Sequence, residues 1–437
     1  MMAGKMTRHK DHVALCNGKR ILKGAFIFGA NAGGKSNLIR AITFAKNIVE
    51  DGLENSNCDK KYFRIDNSCK QKPSVFQFDL YSNGRFYSYG FAISLISKRI
   101  EEEWLYQIDD SEKCIFLRSR DNSSSNSTLY SEIKFSDARQ KERFNFYADY
   151  ICNYKMDQTL FLSDVYLRCP DDEKEYFPFR DVREWFDRLT IIFPESKYDG
   201  IESLVDNQNE RTRLENLLRY FDTGITEVHK KAITLDKAFD NLPEPLLETI
   251  KSDITKTLKG DATHAKIVGG GSHYEVKLTD GEIMAFRVVS NHGNSEDLFE
   301  YSDESDGTQR LFDLIPVYQK VMRNNIIIVD ELDRSLHTKA VQEFINYFYS
   351  IACKFNSQLI VTTHDSNIMD LDYIRQDEIW FIERQSDHSS KLYSLNQFRE
   401  RFDKKIEKEY LMGRYGAVPV FRQMFLGEGD LDESSCQ

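Results

Sequence analysis

Gly29-Ala30-Asn31-Ala32-Gly33-Gly34-Lys35-Ser36 spells G-x-x-x-x-G-K-S, the P-loop pattern. The apolar run Ala25-Phe26-Ile27-Phe28 leads into it, and Leu38, Ile39, Ala41, Ile42, Ala45, Ile48 and Val49 follow at helical spacing. Strand, glycine loop and helix together form the context in which this pattern cradles phosphates. Glycine lets the chain turn tightly and approach an anion closely. The backbone from Gly29 through Asn31, Ala32, Gly33 and Gly34, with Ser36 and Asn37 opening the helix, then presents N–H groups to phosphate. Lys35 reaches the β- and γ-phosphates of ATP, and the Ser36 hydroxyl ligates Mg²⁺. The competing reading is a glycine turn that merely caps a helix, and the strand before it speaks against that.

Three further stretches are needed to complete such a site. Ile326-Ile327-Ile328-Val329 is a run of β-branched residues, expected as a strand buried on both faces of a parallel sheet. It ends in Asp330 and Glu331, the first placed for Mg²⁺ or its bound water, the second for orienting or deprotonating water. Gln358 to Thr363 is a second such strand, ending at His364, which is placed to meet the γ-phosphate or the attacking water. Ser305-Asp306-Gly307-Thr308-Gln309-Arg310 opens a helix, and a Ser and a Gly at a helix start form an anion seat. That helix has Leu311, Phe312, Leu314, Ile315, Tyr318 and Met322 on its apolar face, with Pro316 expected to kink it.

The remainder bounds the setting. With 437 residues the length prior is two or three domains, and 41% hydrophobic with 30% charged residues is globular composition. A net charge of -11 argues against a surface given over to nucleic acid, although Lys5, Arg8, Lys10, Lys19, Arg20 and Lys23 make the start basic. Cys16, Cys58, Cys69, Cys114, Cys152, Cys169, Cys353 and Cys436 show neither C-x-x-C nor zinc spacing. No secretory signal or membrane-length apolar run is present, so the expectation is a cytoplasmic protein with no membrane partner.

Residues 74 to 106 alternate as a β-meander, with Asn83-Gly84 as a hairpin turn, and Cys114 to Arg118 continues it before a polar loop at 121 to 128. From 135 to 264 the pattern is helical, clearest at Glu142 to Tyr154, Phe179 to Leu189 and Glu210 to Tyr220, and reads as an arm or lid inserted in the nucleotide fold. Strand character returns at 265 to 290, where Gly269-Gly270-Gly271 reads as a flexible loop and Asp280-Gly281 as a turn. The expected organisation is 1–134 and 265–400 as the two halves of an ATPase head, 135–264 as the helical insertion, and 401–437 as a helical extension with an acidic tail at Glu428 to Glu433.

These motifs, in this order, resemble the ABC-type ATPases of the SMC-like kind. The resemblance implies an α/β P-loop head in which Ser305 and Gly307 stand in a divergent signature element; Asp306 replaces a small residue there. Asp333, Ser335, Leu336 and His337 resemble the family's D-loop. The resemblance further implies an ATP-dependent head-to-tail homodimer, or a larger homo-oligomer built of such dimers, with two ATPs sandwiched and each signature closing the partner's P-loop site. Asp330 to His337, Glu102-Glu103-Trp104-Leu105-Tyr106 and Gly413-Arg414-Tyr415-Gly416-Ala417 resemble, more narrowly, the RloA/AbiLi-type ATPases and the ATPase subunit of PARIS systems. These act in bacterial anti-phage and abortive-infection defence, usually with a separate effector protein. In that family a strand and an S-F-K-D-like stretch precede the region where this sequence opens, so either the start is misassigned or the nucleotide lobe lacks an edge, and adenine contacts are left unassigned. Gln77 is the one candidate for a Q-loop role, against an ordinary outward strand glutamine.

Three function classes follow: an Mg²⁺-dependent ATPase that senses or gates for a defence effector, a nuclease being one candidate; an SMC-like DNA-repair ATPase; and the nucleotide subunit of a transporter. The absence of a nuclease motif favours a separate effector. The short arm, without coiled-coil heptads or a zinc hook, counts against repair. DNA or a phage component remains a candidate ligand in the first two classes.

Overall fold

The computed structural model describes all residues except 110, 121–126, 154–156, 171, 199–200, 239–242, 260–264, 270–271, 280–281, 399–404 and 420–437. The chain opens with a hairpin, β1 (Val13–Cys16) and β2 (Lys19–Leu22), and then enters β3 (Gly24–Phe28) and α1 (Lys35–Asp51). Five antiparallel strands follow: β4 (Ser74–Ser82), β5 (Arg85–Ser94), β6 (Arg99–Ile108), β7 (Glu112–Arg120) and β8 (Ser127–Tyr130). Next come α2 (Ala138–Asn153), α3 (Phe161–Arg168), α4 (Phe177–Asp187), β9 (Leu189–Ile192), α5 (Ile201–Asp206), α6 (Gln208–Tyr220), β10 (Glu227–Thr234), α7 (Leu235–Ala238) and α8 (Glu244–Lys259). The strands β11 (Ala265–Gly269), β12 (Ser272–Thr279), β13 (Glu282–Asn291) and β14 (Phe299–Glu300) precede α9 (Asp306–Leu314) and α10 (Tyr318–Val321). The last part holds β15 (Ile326–Val329), α11 (Thr338–Ala352), β16 (Gln358–Thr362), β17 (Ile379–Arg384), β18 (Ser390–Ser394) and α12 (Ile406–Leu411).

A six-stranded sheet in the order β18-β17-β3-β16-β15-β9 forms the centre, parallel except for β18. The alternation along β15 explains why its four residues are all apolar. Ile326 and Ile328 pack with α1, the meander and α2 to α4, whereas Ile327 and Val329 pack with α11 on the opposite face. Each such burial contributes about 1.5–3 kcal/mol. The fold is therefore α/β, a P-loop head carrying an antiparallel meander. Asn83 and Gly84, at φ 47° and 84°, close the β4–β5 turn as their sequence suggests. Pro316 ends α9 in a 3₁₀ turn, Ile315–Val317, before α10 resumes.

The stretch 135–264 differs from the single helical unit expected of it. Leu189-Thr190-Ile191-Ile192 is β9, the edge strand of the central sheet, paired in parallel with β15. A four-residue run has no period that separates strand from helix, and its first residue, Leu189, falls in the helix expected over Phe179 to Leu189. β10 pairs with β13, so the boundary drawn at 264/265 passes through one antiparallel sheet, β10-β13-β12-β11 with β14 alongside. α8 covers one face of that sheet, where Leu235, Ile254, Leu258, Tyr274, Val276 and Ala285 form a small separate core. Leu214, Leu217 and Leu218 of α6 are core residues. Gly269 ends β11. Gly270, Gly271, Asp280, Gly281, most of the 121–128 loop and the acidic tail at 428–433 lie outside the described residues. Gln77 stands exposed on β4, bonded to Ser88 and Asp79, in the meander rather than at the central sheet.

Candidate functional site

The carboxyl ends of β3, β16, β15 and β9 lie side by side. The Thr363 N–H donates to Ile27 O (3.1 Å), the Leu332 N–H to Thr362 O (3.1 Å) and the Asp330 N–H to Ile192 O (2.9 Å). The edge of the sheet thus gathers the loop after β3, the Asp-Glu turn after β15, the Thr-Thr-His end of β16 and the residues that follow β9. The carboxyl edge of a parallel sheet is where ligands bind in such folds.

The P-loop leaves β3 at Phe28 and enters α1 at Lys35. Gly34 caps α1 at φ 111°, and a Cβ there would lie 2.9 Å from Ser390 Cβ, so only glycine fits. Ser390, on β18, donates its hydroxyl to Gly33 O (2.8 Å) and closes the loop from behind. Ala32 takes φ 61°, a conformation a non-glycine residue adopts at a cost and one that concentrates at ligand clamps. Lys35 is 5% exposed. Its Nζ donates to Gly29 O (2.6 Å) and Ala30 O (3.4 Å), and lies 3.4 Å from His364 Nδ1. Burial lowers its pKa, opposed by the charges of Asp333, Asp330 and Glu331. Among the described residues it forms no ion pair, so a buried cation stands here with neutral partners only. Ser36 is half-buried, and Asn31 and Asn37 are exposed at the loop and helix start.

Asp330 is 2% exposed and its Oδ1 accepts a hydrogen bond from Thr362 Oγ1. The same hydroxyl accepts the Glu331 N–H (2.9 Å), so its one proton and one of its two lone pairs fix both acidic residues. Glu331 sits at φ 49°, a left-handed turn that carries its side chain off the strand direction. The Asp333 carboxylate accepts from the His364 N–H through both oxygens (3.2 Å each), tying the two strand ends together. Partial burial and the neighbouring Lys35 ammonium hold the His364 imidazole below its ordinary pKa. A neutral ring whose Nδ1 accepts from Lys35 carries its proton on Nε2.

Lys35, Asp330, Glu331 and His364 are therefore neighbours at one edge. Ser305 and Gly307 are at the start of α9, and among the described residues neither bonds to the P-loop. Ser305 caps the helix, accepting the Thr308 N–H (3.2 Å), and is exposed. Gly307 packs on the turn after Glu331, where a Cβ would come 2.9 Å from Ser335 O. Sequence reasoning did not assign Thr362, Asp333 or Ser390 to the site, nor Arg310, which reaches the Asp330 and Glu331 carbonyls. Thr362 lay in view in the Thr-Thr-His triplet as a hydroxyl ending a buried strand, and Asp333 in the D-loop-like stretch. Ser390, a polar residue on a short edge strand, carried no signal.

The donor set suits ATP and Mg²⁺. A hydroxyl and a carboxylate, which Ser36 and Asp330 offer, are the kind of hard oxygen donors this ion takes while keeping several waters. The loop backbone and Lys35 match a polyphosphate.

Fold and site together define a P-loop nucleotide-binding head of mixed α/β architecture. The chain belongs to the family described as "AAA domain, putative AbiEii toxin, Type IV TA system", whose model matches residues 25–370. A search among curated proteins gives no match. Solved structures similar to the chain include an SMC head bound to the C-terminal winged-helix domain of ScpA, at 14% identity over 87% of this chain and 93% of that one, TM-score 0.36. Others are the SMC head domain from Thermotoga maritima (12%, 88% and 95%, TM-score 0.29) and a Pyrococcus furiosus SMC head with an extended coiled coil, bound to the C-terminal domain of ScpA (15%, 90% and 94%, TM-score 0.30). Among the described residues no helix is long and apolar enough to cross a membrane.

Proposed function

We propose that this protein is a cytoplasmic Mg²⁺-dependent ATPase whose ATP-bound form pairs two copies head to tail and gates a separately encoded effector in anti-phage defence. The observation that carries the ATPase reading is a buried ammonium, Lys35, with no carboxylate partner among the described residues, beside the Asp330–Glu331 turn and the neutral ring of His364. A triphosphate supplies the counter-charge that Lys35 lacks. Ser36 and Asp330 would hold Mg²⁺, which would supply positive charge to the phosphates. Glu331 orients the attacking water and takes its proton, and His364 donates from Nε2 to a γ-phosphate oxygen. Ser305, exposed at the cap of α9, and Gly307 in its first turn are the residues the γ-phosphate of a second copy would meet. The defence setting draws on the family description and on the RloA/AbiLi and PARIS resemblance.

The test is turnover in mixtures. Lys35→Ala should abolish hydrolysis by weakening ATP binding and removing the ammonium from the phosphates, and Ser305→Arg should abolish it by blocking the opposing site. Mixed, the two form one intact composite site, so part of the activity returns. Heterodimers that form without any activity would remove the two-copy site. Parental turnover in both Lys35→Ala and Glu331→Gln would remove the ATPase reading.

A further inference from the structure

Arg310 lies on α9, just beyond Gly307, and is 4% exposed. Its guanidinium spans three main-chain carbonyls at the site edge. One Nη donates to Phe193 O (3.1 Å), the first residue after β9; the other donates to Asp330 O (3.3 Å) and Glu331 O (3.4 Å), immediately after β15. Among the described residues the Nε–H meets no acceptor. A buried cation that bonds only to carbonyls while one donor stays unspent is a costly way to fill space. A planar fork is, however, what fixing several carbonyls at once requires, and an ammonium cannot reproduce it.

What it fixes is the turn that aims Glu331. Thr362 holds that turn from the β16 side through the Glu331 N–H, and Arg310 holds it from the α9 side through the Glu331 carbonyl. The left-handed backbone of Glu331 is kept between these two supports, and Ser335, at φ 60°, follows in the same turn. α9 touches the same turn a second time, where Gly307 packs on Ser335 O. The start of α9 therefore cannot shift without carrying Arg310, and with it the backbone that sets the direction of the Glu331 carboxylate.

We infer that Arg310 is a positioning residue that makes the aim of Glu331 depend on how the start of α9 is seated, so that contact between copies sets turnover rather than nucleotide affinity. This rests on the reading given above, in which Glu331 activates water and α9 faces a second copy. Docking of the helix start on another subunit's nucleotide squares the Glu331 turn through the guanidinium; in the lone subunit the turn has no such load on it.

The experiment is a double-mutant cycle on the full chain, reading ATP affinity and kcat separately. Arg310→Gln should leave ATP affinity within about threefold of the parent and lower kcat by roughly 10- to 100-fold. Arg310→Lys, which keeps the charge without the fork, should recover only part of that loss. The decisive arm is the pair: Arg310→Gln combined with Glu331→Gln should be no slower than Glu331→Gln alone, because both act through one carboxylate. Losses that multiply, or a fall in affinity that matches the fall in kcat, overturn the inference. If Glu331→Gln is slow and Arg310→Gln is not, the positioning role alone has failed. If Glu331→Gln turns over like the parent, the assignment of Glu331 has failed and takes the inference with it. Should Arg310→Gln not fold, Arg310→Lys carries the same cycle.

Discussion

The central sheet has a buried polar cluster at each end, and the two are built on opposite rules. At the amino ends of its strands, Arg375 bonds both oxygens of Asp377 (2.8 Å each) and the carbonyl of Arg8 (2.7 Å). Glu378 accepts from Tyr349 (2.9 Å) and from the Arg375 N–H (2.8 Å) and lies 3.0 Å from His12 Nδ1, and Asp377 also takes the Gly4 N–H (2.7 Å). Cations there meet anions, and the cluster fastens the first dozen residues to the turn before β17. At the carboxyl ends, Lys35 meets only carbonyls and a neutral imidazole. A closed cluster specifies structure, whereas one left a charge short is fit to receive a ligand, because burying a lone charge is tolerated only where something else answers it.

The largest expected effect breaks the closed end. Asp377→Ala strands the guanidinium of Arg375, which is 1% exposed, and should cost about 3–5 kcal/mol of unfolding free energy. Urea denaturation reads this, and the folded fraction should bind ATP as the parent does; a loss below about 1 kcal/mol would deny the contrast between the ends. At the open end the consequences are reversed. Lys35→Ala should weaken ATP binding by about 1.5–3 kcal/mol, measurable by calorimetry, and leave stability unchanged or raised, since a buried lone cation is gone. Destabilisation without loss of ATP binding would make Lys35 a structural cation. Thr362→Val sharpens the comparison, because it removes the hydroxyl shared by Asp330 and Glu331. It should cost about 1–3 kcal/mol of stability and slow turnover more than it weakens ATP binding.

The smallest effect is in pH. His364 has its pKa held below the ordinary 6.5, so in the folded state it stays neutral where the unfolded chain takes up a proton. Its contribution to stability is thus complete above 6.5 and is lost as pH falls from there towards the lowered folded value. The ring still meets solvent, so the loss is small. Denaturation curves of the parent and His364→Gln, compared above and below that window, should converge slightly on acidification; divergence would place the protonated ring in the native site.

Much of the site was legible because its chemistry is written in consecutive residues. Gly29 to Ser36 is one loop, and Asp330 and Glu331 end one strand whose β-branched run marks it as buried on both sides. What was not legible is what distant segments bring. β9 is too short for its period to show, yet it carries Phe193 to the site edge. Arg310 looks like any helix charge until the fold aims it inward. Ser390 closes the P-loop from a strand that nothing in its own sequence marks. The segment 135–264 was misread as one unit because helices dominate its composition, although its two strands belong to two different sheets.

Among the described residues the P-loop strand β3 is hydrogen-bonded to β16 and β17 and to no strand nearer in sequence. A ribosome delivers β3 long before its two neighbours, so the nucleotide edge stays unpaired while the intervening chain is made. The meander, whose strands β4 to β8 each pair with the next, closes locally in the meantime. Contacts between distant segments form late because the intervening chain must first be ordered. Pulse-labelled hydrogen exchange during refolding should accordingly protect the amides of β5 and β6 before those of β3.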